Sequence, residues 1–331
     1  MPYDSKILSR AMARFDQDKQ HRAQQLQQRQ QQLFRQVPEL ADIDRQLRST
    51  MSQIISSALR RGTDPLPALQ VIRDENLSLQ CRRRELLEGL GYPADYLEEK
   101  PRCAQCGDSG FLRSGTMCAC LRSYYAKEQI AELSQMLDVG SHSFETFELH
   151  WYSPERSGMS RSPRETAQRN LSVCQHFARE FRPGAQNLLL FGAPGLGKTF
   201  LSACIARVVS EDGFSVVYDT AGHIFSQFEA AKFRREDVEQ NDESVERCLN
   251  CDLLILDDLG TEMLTAFVQS TLYQLINDRL LLHKSTIIST NLDPEQLGRR
   301  YSPQILSRLT GEYELLPFIG EDIRRLKREQ K

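Results

Sequence analysis

Residues 187–199, Asn-Leu-Leu-Leu-Phe-Gly-Ala-Pro-Gly-Leu-Gly-Lys-Thr, decide the fold. The apolar run Leu188 to Phe191 reads as a strand buried on both faces. The chain then passes through Gly192-Ala193-Pro194-Gly195-Leu196-Gly197-Lys198-Thr199, the pattern G-x-x-x-x-G-K-[ST], and enters a helix over about 199–209. Strand, glycine-rich loop and helix in this order make a phosphate cradle. Glycines let main-chain N–H groups curl around phosphate oxygens without side-chain clash. The helix N-terminus adds partial positive charge. Lys198 is placed to reach the β and γ phosphates, and the Thr199 hydroxyl to ligate Mg²⁺. With Phe200 in the first helical turn, these residues are the candidate nucleotide-binding set.

Working outward, short apolar runs recur at 215–218, 253–257, 286–290 and 314–317, with helix-length segments between them. Alternating strands and helices predict an α/β domain, a parallel sheet covered on both faces. The run Leu253-Leu-Ile-Leu256 ends on Asp257-Asp258. A carboxylate beside so apolar a strand is costly without a partner. Mg²⁺ held by Asp257 would supply one, leaving Asp258 to orient or deprotonate an attacking water. The strand Thr286-Ile-Ile-Ser-Thr290 ends at Asn291. Its amide could bond a γ-phosphate or the lytic water, or it could cap a helix starting near Asp293.

The N-terminal third has a different texture. Ten of the residues 17–36 are Gln, which predicts a solvated helix or an extended arm. Leu40, Ile43, Leu47, Met51, Ile54 and Ala58 form one apolar helical stripe, ended by Gly62, Asp64 and Pro65. A second helix is predicted over about 67–87, with Leu69, Ile72, Leu79 and Leu86 inward. Together they predict a helical hairpin or small bundle over residues 1–100.

A Cys-rich segment, 101–122, follows. Cys103-x₂-Cys106 and Cys118-x-Cys120 can surround one Zn²⁺ tetrahedrally, with Gly107, Gly110 and Gly115 allowing the sharp turns. A four-thiolate site has no open position, so the expected zinc is structural. The rival reading, a redox Cys-x-x-Cys, leaves the second pair unexplained. Cys81, Cys174, Cys204, Cys248 and Cys251 read as small core or surface residues. Residues 123–186 read as a linker with mixed helix, leading to a domain at 187–331.

Composition sets limits. The 331 residues carry 42 Lys+Arg against 45 Asp+Glu. The net charge of -3 excludes a globally basic nucleic-acid binder, so any such contact needs a local patch. No apolar run approaches the ~18 residues of a membrane-spanning helix, and no secretory signal is evident. The expected location is the cytoplasm, with no membrane partner.

Beyond these readings, the sequence resembles the AAA+ ATPases of the DnaC/DnaI type, bacterial replicative-helicase loaders, and their IstB transposition relatives. The resemblance runs from about 101 to 328. It is carried by Cys103-Ala-Gln-Cys106-Gly-Asp-Ser-Gly-Phe, Cys118-Ala-Cys120, Ser143-Phe-Glu-Thr-Phe147 and 187–201. It continues through Cys251-Asp-Leu-Leu-Ile-Leu-Asp-Asp-Leu-Gly-Thr-Glu262, Ser289-Thr-Asn-Leu292, Leu306-Ser-Arg-Leu309 and Gly320-Glu-Asp-Ile-Arg324. It implies a P-loop NTPase (AAA+) fold with a truncated lid, self-association through the ATPase domain, and ATP hydrolysed at a subunit interface. By resemblance, Arg308 is the arginine supplied in trans and Arg324 the sensor arginine acting within its own subunit, with Arg325 a weaker choice. Related ATPases often carry Glu where Asp258 stands. The resemblance further implies a hexameric replicative DNA helicase and single-stranded DNA as partners, with residues 1–122 gripping the helicase. The helix from Ala221 to Phe233 is similar to the family's DNA-contacting segment. Its His223, Phe225, Phe228 and Lys232, with the following Arg234 and Arg235, mix rings and positive charge. Phe225 and Phe228, at i and i+3, also suit a core. An IstB-like transposition helper and an ATP-binding adaptor with little hydrolysis are the alternatives.

Overall fold

The computed structural model describes residues 3–58, 66–136, 142–156, 160–233 and 240–329. Residues 14–114 form one compact unit, and residues 1–13 with 115–331 form another.

The larger unit is built on a parallel sheet. Its strands are β1 (Asn187–Gly192), β2 (Val216–Thr220), β3 (Leu253–Leu259), β4 (Ser285–Thr290) and β5 (Tyr313–Phe318). They lie in the order β2-β3-β4-β1-β5. Each apolar run read from the sequence is a strand. Side chains alternate faces along a strand, so each run feeds two cores. Leu188, Leu190, Ile255 and Ile287 join one cluster with α5 (Pro163–Arg179) and α6 (Lys198–Glu211). Leu189, Leu254, Leu256 and Ile288 join the other. There they meet α7 (Ala221–Phe233), α8 (Gln240–Asn250), α9 (Ala266–Leu281), α10 (Pro294–Arg300) and α11 (Pro303–Glu312). The expected α/β P-loop sheet, covered on both faces, is observed. Leu188, Leu189 and Leu190 are at most 1% exposed. Each such burial contributes about 1.5–3 kcal/mol.

Two further pieces belong to this unit. In α4 (Ala119–Met136), Gln129 is buried and fully used. Its amide donates to Ser210 Oγ at 2.8 Å and to the Phe214 carbonyl at 2.9 Å, and accepts the Val216 N–H at 3.0 Å. At the N-terminus, Asp4 accepts the Ile7 N–H at 2.8 Å, capping the first turn of α1 (Ser5–Gln36), and pairs with Arg247 at 2.7 Å. A short α12 (Ile323–Glu329) follows β5.

In the smaller unit the Gln-rich stretch is helical, as part of α1. It is followed by α2 (Pro38–Ala58) and α3 (Leu66–Gly89). Leu33, Leu40, Leu87 and Leu97 form its small core. The side chains of Met51, Ile54, Ala58, Leu69 and Ile72, and residues Gly62, Asp64 and Pro65, lie outside what is described.

Candidate functional site

A parallel sheet gathers the C-terminal ends of its strands on one edge, where ligands commonly bind. Here β4 lies between β1 and β3. The loop after β1, the acids ending β3 and the asparagine following β4 are therefore neighbours. Two glycines permit the loop's course. Gly192 has φ +137, and a Cβ there would lie 2.1 Å from the Phe318 carbonyl oxygen. Gly195 has φ +76, and a Cβ would meet the Asp322 carboxylate at 1.9 Å. Two loop carbonyls are also tied. The Ile323 N–H donates to Gly195 O at 3.1 Å, and Tyr152 Oη donates to Leu196 O at 2.8 Å.

Lys198 opens α6 and is 5% exposed. Its Nζ donates to Gly192 O at 2.6 Å, Ala193 O at 2.8 Å and Asn291 Oδ1 at 2.8 Å. The cap of α10 is Asp293, which accepts the Gln296 N–H at 2.8 Å, so Asn291 faces the loop lysine instead. Burial lowers the Lys198 pKa to about 8, against the opposing pull of Asp258 and Asp257.

The acid pair is arranged by a break in strand register between Leu256 and Leu259. Asp258 adopts φ +53, a conformation Asp tolerates better than most residues. Such a bulge re-aims side chains. Asp257 is 4% exposed and within 3.1 Å of Thr199 Oγ1. It also accepts hydrogen bonds from Tyr218 Oη at 2.7 Å and from Ser289 Oγ. Asp258 lines the cavity above the loop. Burial and the Asp257 charge raise its pKa above the usual carboxylate value, partly offset by Lys198 and Arg324.

That cavity, about 380 Å³, is lined by two chemically distinct sets of groups. Lys198, Thr199, Asp258, Asn291 and Arg324 make up the polar set. The other set is aromatic, the rings of His142, Phe147, Trp151, Tyr152 and Phe200. Phe147 lies 5.6 Å from Phe200 and 5.7 Å from Tyr152 between centroids, and His142 meets Phe200 edge-on at 4.5 Å. Apart from Phe200, the sequence reading assigned no role to these rings. Lys327 is a further addition: its Nζ pairs with Glu148 at 2.9 Å and sits 5.4 Å over the Trp151 ring.

Other candidates lie elsewhere. Arg308, half-exposed on α11, is not part of this cavity wall. Phe225 is buried in the core and Phe228 packs against it, so the core reading holds for both rings. Lys232 is exposed and lies 5.2 Å over the Phe267 ring. Arg234 and Arg235 fall outside the described residues.

Cys103 and Cys106 fall in the smaller unit, and Cys118 and Cys120 in the larger. Two close pairs of thiols are the soft donor set that a tetrahedral structural zinc takes. Gly107, Gly110 and Gly115 have φ of +58, +78 and +79, the turns the spacing required. Cys174, Cys204, Cys248 and Cys251 are buried, and Cys81 is exposed. Among the described residues no helix is long and apolar enough to cross a membrane.

Comparison with known proteins agrees with this geometry. The family described as IstB-like ATP binding protein matches residues 163–331. An uncharacterized protein, YdaV of Escherichia coli K12, is 29% identical over 140 residues, covering 42% of this chain and 55% of that protein. The replicative helicase loader DnaC of the same strain is 24% identical over 139 residues, covering 42% and 56%. A putative insertion sequence ATP-binding protein, y4pL of Sinorhizobium fredii NGR234, is 29% identical over 150 residues, covering 44% and 59%. The chain thus spans little more than half the length of each relative. The family match takes in all five of the cavity's polar residues named above and just over half of the chain, and this chain therefore belongs to the IstB-like ATP-binding family.

Proposed function

We propose that this chain is an ATPase that loads a hexameric replicative helicase onto single-stranded DNA. The observation that carries the nucleotide part is the convergence of Lys198, Thr199, Asn291 and Asp258 on one cavity that aromatic rings also line, with Asp257 against Thr199. The aromatic rings suit an adenine, which offers a flat apolar face. Among the polar groups Lys198 would engage the β and γ phosphates. Thr199 and Asp257 would hold Mg²⁺, which would neutralise phosphate charge. Asp258 takes a proton from the attacking water, Asn291 orients that water or the γ-phosphate, and Arg324 faces the phosphates from its own chain. Arg308 reaches the site of a neighbouring copy, which makes self-association part of the activity.

The loader role rests on the resemblance of 101–328 and on the similarity to DnaC. In this reading residues 1–100 and the 101–122 knuckle grip the helicase, 123–186 lead into the ATPase domain at 187–331, and the protein acts in the cytoplasm. Lys232, Arg234 and Arg235 would contact DNA. The similarity to an insertion sequence ATP-binding protein supports a second reading, a transposition helper. Steady-state ATP turnover, measured alone, with single-stranded DNA and with the replicative helicase of the same cell, separates these. A loader should co-purify with the helicase and promote unwinding of protein-coated DNA. Association with a transposase instead would favour the helper, and negligible turnover under all conditions would favour an adaptor.

The cysteine cluster is proposed as a structural zinc site. Metal analysis should find one zinc per chain, lost on substituting Cys103 and Cys106 by Ser. Chelation should then raise amide exchange within 101–122, because a small zinc module draws its folding energy from the metal. Unchanged exchange and metal content after chelation would refute the assignment.

A further inference from the structure

We propose that Tyr218 and Ser289 are positioning residues, holding Asp257 from both sides so that its carboxylate is set for a metal ion before the ion arrives. This rests on the reading of the cavity as a MgATP site and extends it to residues that the nucleotide does not touch.

In the sheet, β3 runs between β2 and β4. Each flanking strand sends one hydroxyl to Asp257. From β2, Tyr218 Oη donates to Oδ2 at 2.7 Å. From β4, Ser289 Oγ donates to Oδ1. A carboxylate bonded through both oxygens cannot turn about its Cβ–Cγ bond without breaking one of them. Thr199 Oγ1, the other metal-facing group, lies 3.1 Å from Oδ2. The two hydroxyls therefore fix the relation between the two groups that would share the ion.

Each is anchored in turn. Tyr218 and Ser289 are 4% and 0% exposed. Tyr218 Oη lies 3.4 Å from Ser202 Oγ, which itself bonds the Lys198 carbonyl at 3.1 Å, so the phenol is referenced to the first turn of α6. Ser289 has a second task. Its Oγ accepts the Asp258 N–H at 3.2 Å, at the residue whose backbone is left-handed. One serine thus bonds the metal-side carboxylate and the main chain of the adjacent acid, fixing their separation. Both residues lie where they would otherwise read as core strand positions. Removing a group that orients a metal ligand commonly costs about 10–100-fold in metal affinity.

The test uses the full chain with Tyr218→Phe and Ser289→Ala, each of which deletes one oxygen and leaves the core volume nearly intact. Calorimetry with ATP is done in EDTA and across a Mg²⁺ series, and Mn²⁺ uptake is followed by electron paramagnetic resonance. In both variants the half-saturating metal concentration should rise about 10–100-fold, with ATP affinity in EDTA unchanged. A metal requirement equal to the wild type in both would overturn the proposal. If Ser289→Ala fails to fold, Tyr218→Phe alone decides, since its ring still fills the same space. Absence of ATP uptake by the wild-type chain in either buffer would instead remove the nucleotide reading, and this inference with it.

Discussion

Replacing Arg308 by Ala should lower ATP turnover by about 10³–10⁵-fold, the range an arginine supplied across an interface commonly contributes. ATP binding to the isolated chain should survive. Arg308 is half-exposed on α11 and outside the cavity wall of its own chain. It therefore has no ground-state contact with nucleotide to lose there. In the proposed reading its guanidinium would act in a neighbouring copy, where charge develops on the transferring phosphoryl group. Mixing supplies the discriminating measurement. Arg308→Ala combined with Lys198→Ala should regain turnover, because the intact cradle of one copy then faces the intact arginine of the other. No recovery on mixing, or wild-type turnover in Arg308→Ala alone, would remove the trans role.

Asp258→Asn should reduce turnover by about 10²–10⁴-fold, the usual contribution of a general base, while leaving MgATP binding in place. The substitution is conservative for the fold, since Asn also tolerates the left-handed φ of +53. It keeps the cavity's shape and removes only the proton acceptor. The same residue sets a pH dependence. Burial and the Asp257 charge raise its pKa. If Asp258 is the proposed base it works ionised, so turnover should begin to fall on acidification at a higher pH than an ordinary aspartate would give. Stopped-flow measurement of the chemical step across pH checks both expectations. Full activity in Asp258→Asn would move the general base elsewhere.

The polar groups of the candidate site were legible in the sequence because their chemistry is local. The loop's glycines, Lys198 and Thr199 are contiguous, and Asp257 and Asp258 stand out against an apolar run. Asn291 was ambiguous because an amide after a strand suits two jobs. The cap of α10 is Asp293, and Asn291 bonds Lys198. The aromatic wall was not legible. Phe147, Trp151 and Tyr152 lie in short 3₁₀ turns and loop, Phe144–Thr146 and Leu149–Trp151, with no periodicity to mark a face. Only tertiary packing brings them to a loop more than forty residues later. Tyr218 and Ser289 were hidden differently. Each sits in an apolar strand run and reads as core, because a hydroxyl's partner depends on which strand lies alongside. Strand order is a long-range property that local pattern does not encode.

The most direct test of the account is isothermal calorimetry of ATP with Mg²⁺ against the folded wild-type chain, with Lys198→Ala as control. The account predicts saturable uptake by the wild type and at least about a hundredfold weaker uptake by the variant, from the loss of charge-assisted bonds worth ~1.5–3 kcal/mol each. No heat of binding from well-folded wild-type protein, or equal binding by Lys198→Ala, would contradict it.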